Sequence, residues 1–109
     1  MAYDEALALR VSAVLGDLAG LTEKKMFGGV GYLLNGNMAC GVHKEYLIVR
    51  VGPDRYQAAL EQEHTKVFDI TGRPMTGWVM VDSDGLVADD ELQRWVQKGS
   101  DFAETLPPK

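Results

Sequence analysis

Asn35-Gly36 constrains the fold more than any other pair of residues in this chain. A type I′ turn needs positive φ at both central positions, and Asn followed by Gly adopts them most readily. The dipeptide therefore predicts a hairpin, with strands over about residues 25–34 and 37–43. Gly28, Gly29 and Gly31 fall inside the first of these strands. Glycines there mark a bend, a bulge or a close approach of backbones.

After Lys44-Glu45 the run 46–51 is rich in β-branched and aromatic residues and predicts a third, antiparallel strand. Gly52-Pro53-Asp54 breaks it and starts a short helix that buries Tyr56, Ala59 and Leu60 and ends near Glu63. Two further strands are predicted over 67–70 and 78–81, joined across Gly72-Arg73-Pro74, and Asp82-Ser83-Asp84-Gly85 ends the last as a turn.

Helices flank this strand-rich stretch. Leu7, Val11, Val14, Leu15 and Leu18 recur at steps of three and four, so a helix is expected from an Asp4 N-cap to about Leu18, with Gly20 beyond its end. Leu92, Trp95, Val96 and Gly99 share one face of a last helix that Asp89 is expected to cap. The order helix, three strands, helix, two strands, helix predicts an α+β fold in two layers: a five-stranded, mainly antiparallel sheet with helices on one face.

A length of 109 residues suits one domain, expected over 1–104 with a loose tail at 105–109. The net charge of -5 opposes attraction to a nucleic-acid backbone, and no helix carries clustered Arg and Lys, so direct DNA binding is disfavoured. The lone Cys40 fits a reducing compartment, and the chain is expected to be cytoplasmic. No apolar run approaches the ~20 residues that cross a bilayer, and Asp4 and Glu5 stand where a signal peptide needs positive charge.

No catalytic set is legible. Cys40 and His43 are close in sequence, but residues three apart in a strand point to opposite faces. His64 is the other histidine, and zinc-type ligand spacing is absent. Gly29-Val30-Gly31 lacks the third glycine and the following helix of a dinucleotide motif, and no phosphate-cradling Gly-Lys-Ser/Thr occurs. Asp82-Ser83-Asp84-Gly85 resembles the opening of a calcium loop, but the loop's glycine and terminal glutamate are out of register. No cofactor, metal or catalytic residue is therefore expected.

Lys24, Lys25 and Arg73 place positive charge beside glycine-bearing segments of an acidic chain. If the last strand, or the turn at Arg73, lies next to the first strand, these side chains form a small anion or partner-docking spot; otherwise they are solvated surface charge. The candidate binding residues are Lys25, Gly28, Gly29, Arg73 and Trp78. Trp78 reads either as a partner anchor or as core.

Lys25-Met26-Phe27-Gly28-Gly29-Val30-Gly31, the Asn35-Gly36-Asn37-Met38 hairpin, Gly72-Arg73-Pro74-Met75-Thr76-Gly77-Trp78 and Leu92-Gln93-Arg94-Trp95 together resemble the TfoX/Sxy family, specifically its N-terminal domain. The resemblance spans nearly the whole chain. It implies the same element order in a two-layer architecture like that of type III secretion chaperones. The namesake members regulate natural competence, act with a cyclic-AMP receptor protein at promoters, and carry a C-terminal domain besides. The resemblance thus implies a small non-enzymatic regulatory or protein-interaction domain with a protein partner, such as a transcription regulator or, as a homodimer, a second copy. The alternative is a domain that binds or converts a small anionic ligand in the region of Lys25 and Arg73.

Overall fold

The computed structural model describes residues 3–16, 18–26, 28–69 and 72–108. The chain runs through helix α1 (Glu5–Leu15), strands β1 (Leu21–Met26), β2 (Gly29–Leu34), β3 (Asn37–His43) and β4 (Tyr46–Arg50), and helix α2 (Tyr56–Leu60). Strands β5 (Thr65–Val67) and β6 (Trp78–Val81) and helix α3 (Asp89–Glu104) complete it, with 3-10 turns over Pro53–Arg55 and Ser83–Leu86. The fold is α+β. Its sheet has six strands in the order β1-β2-β3-β4-β6-β5, and every neighbouring pair is antiparallel.

The expected hairpin forms, with φ of 53° at Asn35 and 86° at Gly36. The sixth strand corrects the predicted five. Gly28, at φ 74°, breaks the expected strand over 25–34, so that Met26 pairs with Gly29 and β1 folds back along β2. Strand β1 escapes sequence reasoning because it lies at the sheet edge, where Thr22, Glu23, Lys24 and Lys25 are exposed and no apolar alternation is needed. Strand β5 begins earlier than expected, at Thr65, and Ile70 of the predicted strand lies outside the described residues.

Alternation along the strands decides which residues form the core. Val30, Tyr32, Cys40, Val42, Leu47, Val49, Val79 and Val81 are buried in one cluster with Leu7, Val11 and Leu15 of α1, Ala59 of α2, and Leu92, Trp95 and Val96 of α3. The helices thus share one face of the sheet. The pairing of Tyr32 with Cys40 and of Leu33 with Met38 leaves Ala39 as the extra residue of a bulge. Helix α3 crosses there: a Cβ on Gly99 would stand 2.3 Å from the Ala39 carbonyl oxygen, so only glycine permits this approach.

Helix α1 starts as expected, the Asp4 carboxylate accepting from the Leu7 N–H at 3.0 Å. It stops at Leu15 because Gly16 turns out of the helix at φ 59°, which leaves Leu18 off the helix and exposed. At α3 the N-cap is Ala88, and Asp89 is the first helical residue. The expected loose tail is tied in part, since buried Asn37 donates from Nδ2 to the Pro107 carbonyl at 2.9 Å. Among the described residues no helix is long and apolar enough to cross a membrane.

Candidate functional site

Lys25 and Arg73 do not meet. Lys25 is on edge strand β1, whereas Arg73 precedes β6, and β2, β3 and β4 intervene. Four strand steps of about 4.8 Å separate β1 from β6. The condition for the shared anion spot, that the last strand or the Arg73 turn lie beside the first, is not met. Gly28 makes the β1–β2 turn, and Gly29 answers the predicted close approach, since a Cβ there would stand 2.1 Å from the Val42 carbonyl oxygen. The glycine-rich strand β2 is interior to the sheet, and its charged neighbour β1 forms the edge.

Trp78 is half-buried at the start of β6, with the Phe68 ring 6.0 Å away and tilted by 41°. Opposite it in register, Arg50 sets its guanidinium 5.2 Å from the Trp78 ring centroid and 5.4 Å from that of Phe102 on α3. Stacking with cations of this kind contributes about 0.5–1 kcal/mol at exposed sites. Trp78 therefore serves a cation–aromatic cluster that ties the sheet to α3, and Arg73 lies on the exposed loop leading into it.

Cys40 and His43 diverge as expected. Cys40 is wholly buried in the helix-facing core, and burial pushes its thiol from 9.0 up to about 12. A thiol held so firmly neutral is a poor nucleophile at neutral pH. His43, at the end of β3, lies on the alternate side and pairs in register with Tyr46.

Sequence reasoning missed a joint midway along α1. Arg10 donates from Nη2 to the Leu86 carbonyl at 2.7 Å and pairs with the Asp89 carboxylate at 3.1 Å, binding α1 to the start of α3. Two large apolar residues flank this joint in solvent, Leu9 at 73% and Val87 at 77% exposure. One signal was available in the sequence: Leu9 lies off the stripe of Leu7, Val11 and Leu15, so α1 has an apolar residue that its own core does not use. Isolated exposed leucines are ordinary. Here one adjoins Arg10 in sequence and the other adjoins Leu86, the two ends of the polar clasp.

A second missed grouping joins His64 to Asp82 and Asp84, whose ligand atoms all lie within 4.8 Å of one another. The antiparallel pairing of β5 with β6 creates it, because His64 precedes β5 and Asp82 follows β6. Among the described residues this is the one place where imidazole and carboxylate groups converge in this way.

A protein-family model described as the TfoX N-terminal domain matches residues 13–103. Comparison with curated proteins and comparison with solved structures found no match.

Proposed function

The match covers most of the chain, which belongs to the TfoX N-terminal domain family, and we propose that it acts as a small non-enzymatic regulatory module that docks a protein partner. The exposure of Leu9 and Val87 beside the two ends of the Arg10 clasp carries this reading. Apolar side chains carried on backbone that hydrogen bonds already hold in place lose only their own rotamer freedom when covered, which favours a docking surface. The partner in this reading is a cytoplasmic transcription regulator, as for competence regulators of the family, or a second copy of the chain. The secretion-chaperone-like architecture belongs to the same reading. A charge of -5 favours control through a protein over direct contact with DNA.

The test compares the wild-type chain with Leu9→Asp/Val87→Asp in sedimentation and in affinity capture from native extract, with melting curves as a folding control. Both positions are exposed, so the variant should melt like wild type. The reading predicts a stoichiometric protein partner or a concentration-dependent dimer, lost in the variant. A monomer at every concentration that captures nothing, or an association the variant leaves unchanged, overturns it.

A further inference from the structure

We propose that His64, Asp82 and Asp84 form a site for a divalent transition-metal ion of the zinc type. The inference stands apart from the docking surface.

The geometry is that of a partly assembled coordination shell. His64 Nδ1 and Asp82 Oδ1 are 3.3 Å apart. Two donors bonded at about 2.0–2.1 Å to a tetrahedral zinc stand roughly 3.3 Å from each other. Asp84 brings a second carboxylate within 4.8 Å of both, and its exposure leaves it free to close the remaining distance by a change of rotamer.

The backbone holds the two segments together. The Asp82 N–H donates to the His64 carbonyl at 2.9 Å, and Asp82 Oδ1 accepts from the Gly85 N–H at 3.3 Å. Gly85 also makes room for the histidine, since a Cβ there would stand 2.7 Å from the Cβ of His64.

Charge and donor type select the ion. His64 and Asp84 line a groove with Glu63 and Glu91, and Arg94, the one Lys or Arg along it among the described residues, is engaged with Glu91. Glu63 lies 4.0 Å from His64 Nε2 and adds to the negative field. One imidazole nitrogen with two carboxylates suits zinc and its neighbours, whereas magnesium and calcium prefer all-oxygen shells. Three protein ligands leave a tetrahedral ion one position for water or a partner's side chain.

The experiment titrates chelator-treated protein with zinc chloride by calorimetry and repeats the titration with cobalt(II), reading its visible absorption. One zinc per chain should bind saturably. Both His64→Ala and Asp84→Asn should weaken binding at least tenfold, and magnesium should not compete. Asp84 is exposed and provides a test that spares the turn Asp82 supports. Absence of saturable zinc binding, or binding that either variant leaves undiminished, overturns the site and leaves His64 beside Asp82 as a close polar contact of the β5–β6 pairing.

Discussion

On the side of the sheet that meets the helices, Val42, Leu47, Val49, Val79 and Val81 are closed from solvent against α1, α2 and α3. The alternate positions of the same strands carry Gly29, Gly31, Gly41, Tyr46, Ile48, Arg50, Trp78 and Met80, and none belongs to the cluster the helices close. Ile48 is nevertheless 2% exposed. Burial on this second side comes mainly from within the sheet, with Phe102 of α3 reaching only the Arg50 end of it. The Met38 methyl reaches over Gly41, the Lys66 ammonium lies over the Tyr46 ring and the Arg50 guanidinium over the Trp78 ring, so flexible side chains of the strands cover the surface and the two cations rest on aromatic faces. One face gains stability by packing against the helices, the other mainly by covering itself.

The largest effect that would break this contrast is a core truncation. Leu47→Ala, on the helix side, should cost about 2–5 kcal/mol in urea unfolding. Met80→Ala, half-buried on the other side, should cost about 1 kcal/mol. Equal losses would mean that the second face carries as much packing energy as the first.

Glycine substitutions sharpen the comparison, because both faces depend on backbone contact. In an open helix Gly→Ala stabilises by roughly 1 kcal/mol. Gly99→Ala should instead destabilise by about 1–3 kcal/mol, its methyl driven into the Ala39 carbonyl. Gly29→Ala, on the second face, should lose a similar amount against the Val42 carbonyl. Thermal melts that show either variant to be more stable than wild type would refute the close approach.

The smallest effect concerns the seam between sheet and α1. Tyr32 donates its hydroxyl to the Ala8 carbonyl at 2.9 Å and accepts from Ser12 Oγ at 3.2 Å, so Tyr32→Phe should cost about 1 kcal/mol at neutral pH. Burial raises the Tyr32 hydroxyl from 10.0 to about 12 and the Cys40 thiol from 9.0 to about 12. Both groups fold in the neutral form and ionise more readily when unfolded. Their stabilisation is complete below pH 9.0 and is lost as pH rises from there toward about 12. Urea midpoints taken at steps between these limits should fall, and Tyr32→Phe should flatten the upper part of the decline. A midpoint constant over that range would show that neither group is shielded.

What was legible followed from local chemistry. Asp4 capped its helix, Asn35-Gly36 made its turn, and the stripe of Leu92, Trp95, Val96 and Gly99 met the sheet because each signal acts over a few residues. The unreadable parts are tertiary. Strand β1 needs only hydrogen bonds to β2 along one edge, so its Thr22–Lys25 stretch shows no strand pattern. Arg10 finds Asp89 because α1 packs beside α3, and His64 finds Asp82 because β5 pairs with β6. Lys25 and Arg73 were adjacent only on the assumption that the last strand closed onto the first, and the strand order places three strands between β1 and β6.

Helix α1 is fastened along its length, by the Asp4 N–H to the Lys44 carbonyl, the Ala8 carbonyl to Tyr32 and the Arg10 guanidinium to the Leu86 carbonyl. An isolated helix of 11 residues would fray readily in water. Here, releasing any turn of it means breaking a link to the sheet or to the segment before α3. Its amide protons should thus exchange with deuterium only when the whole domain opens, and the first helix of the chain unfolds as part of the same cooperative unit as the central strands.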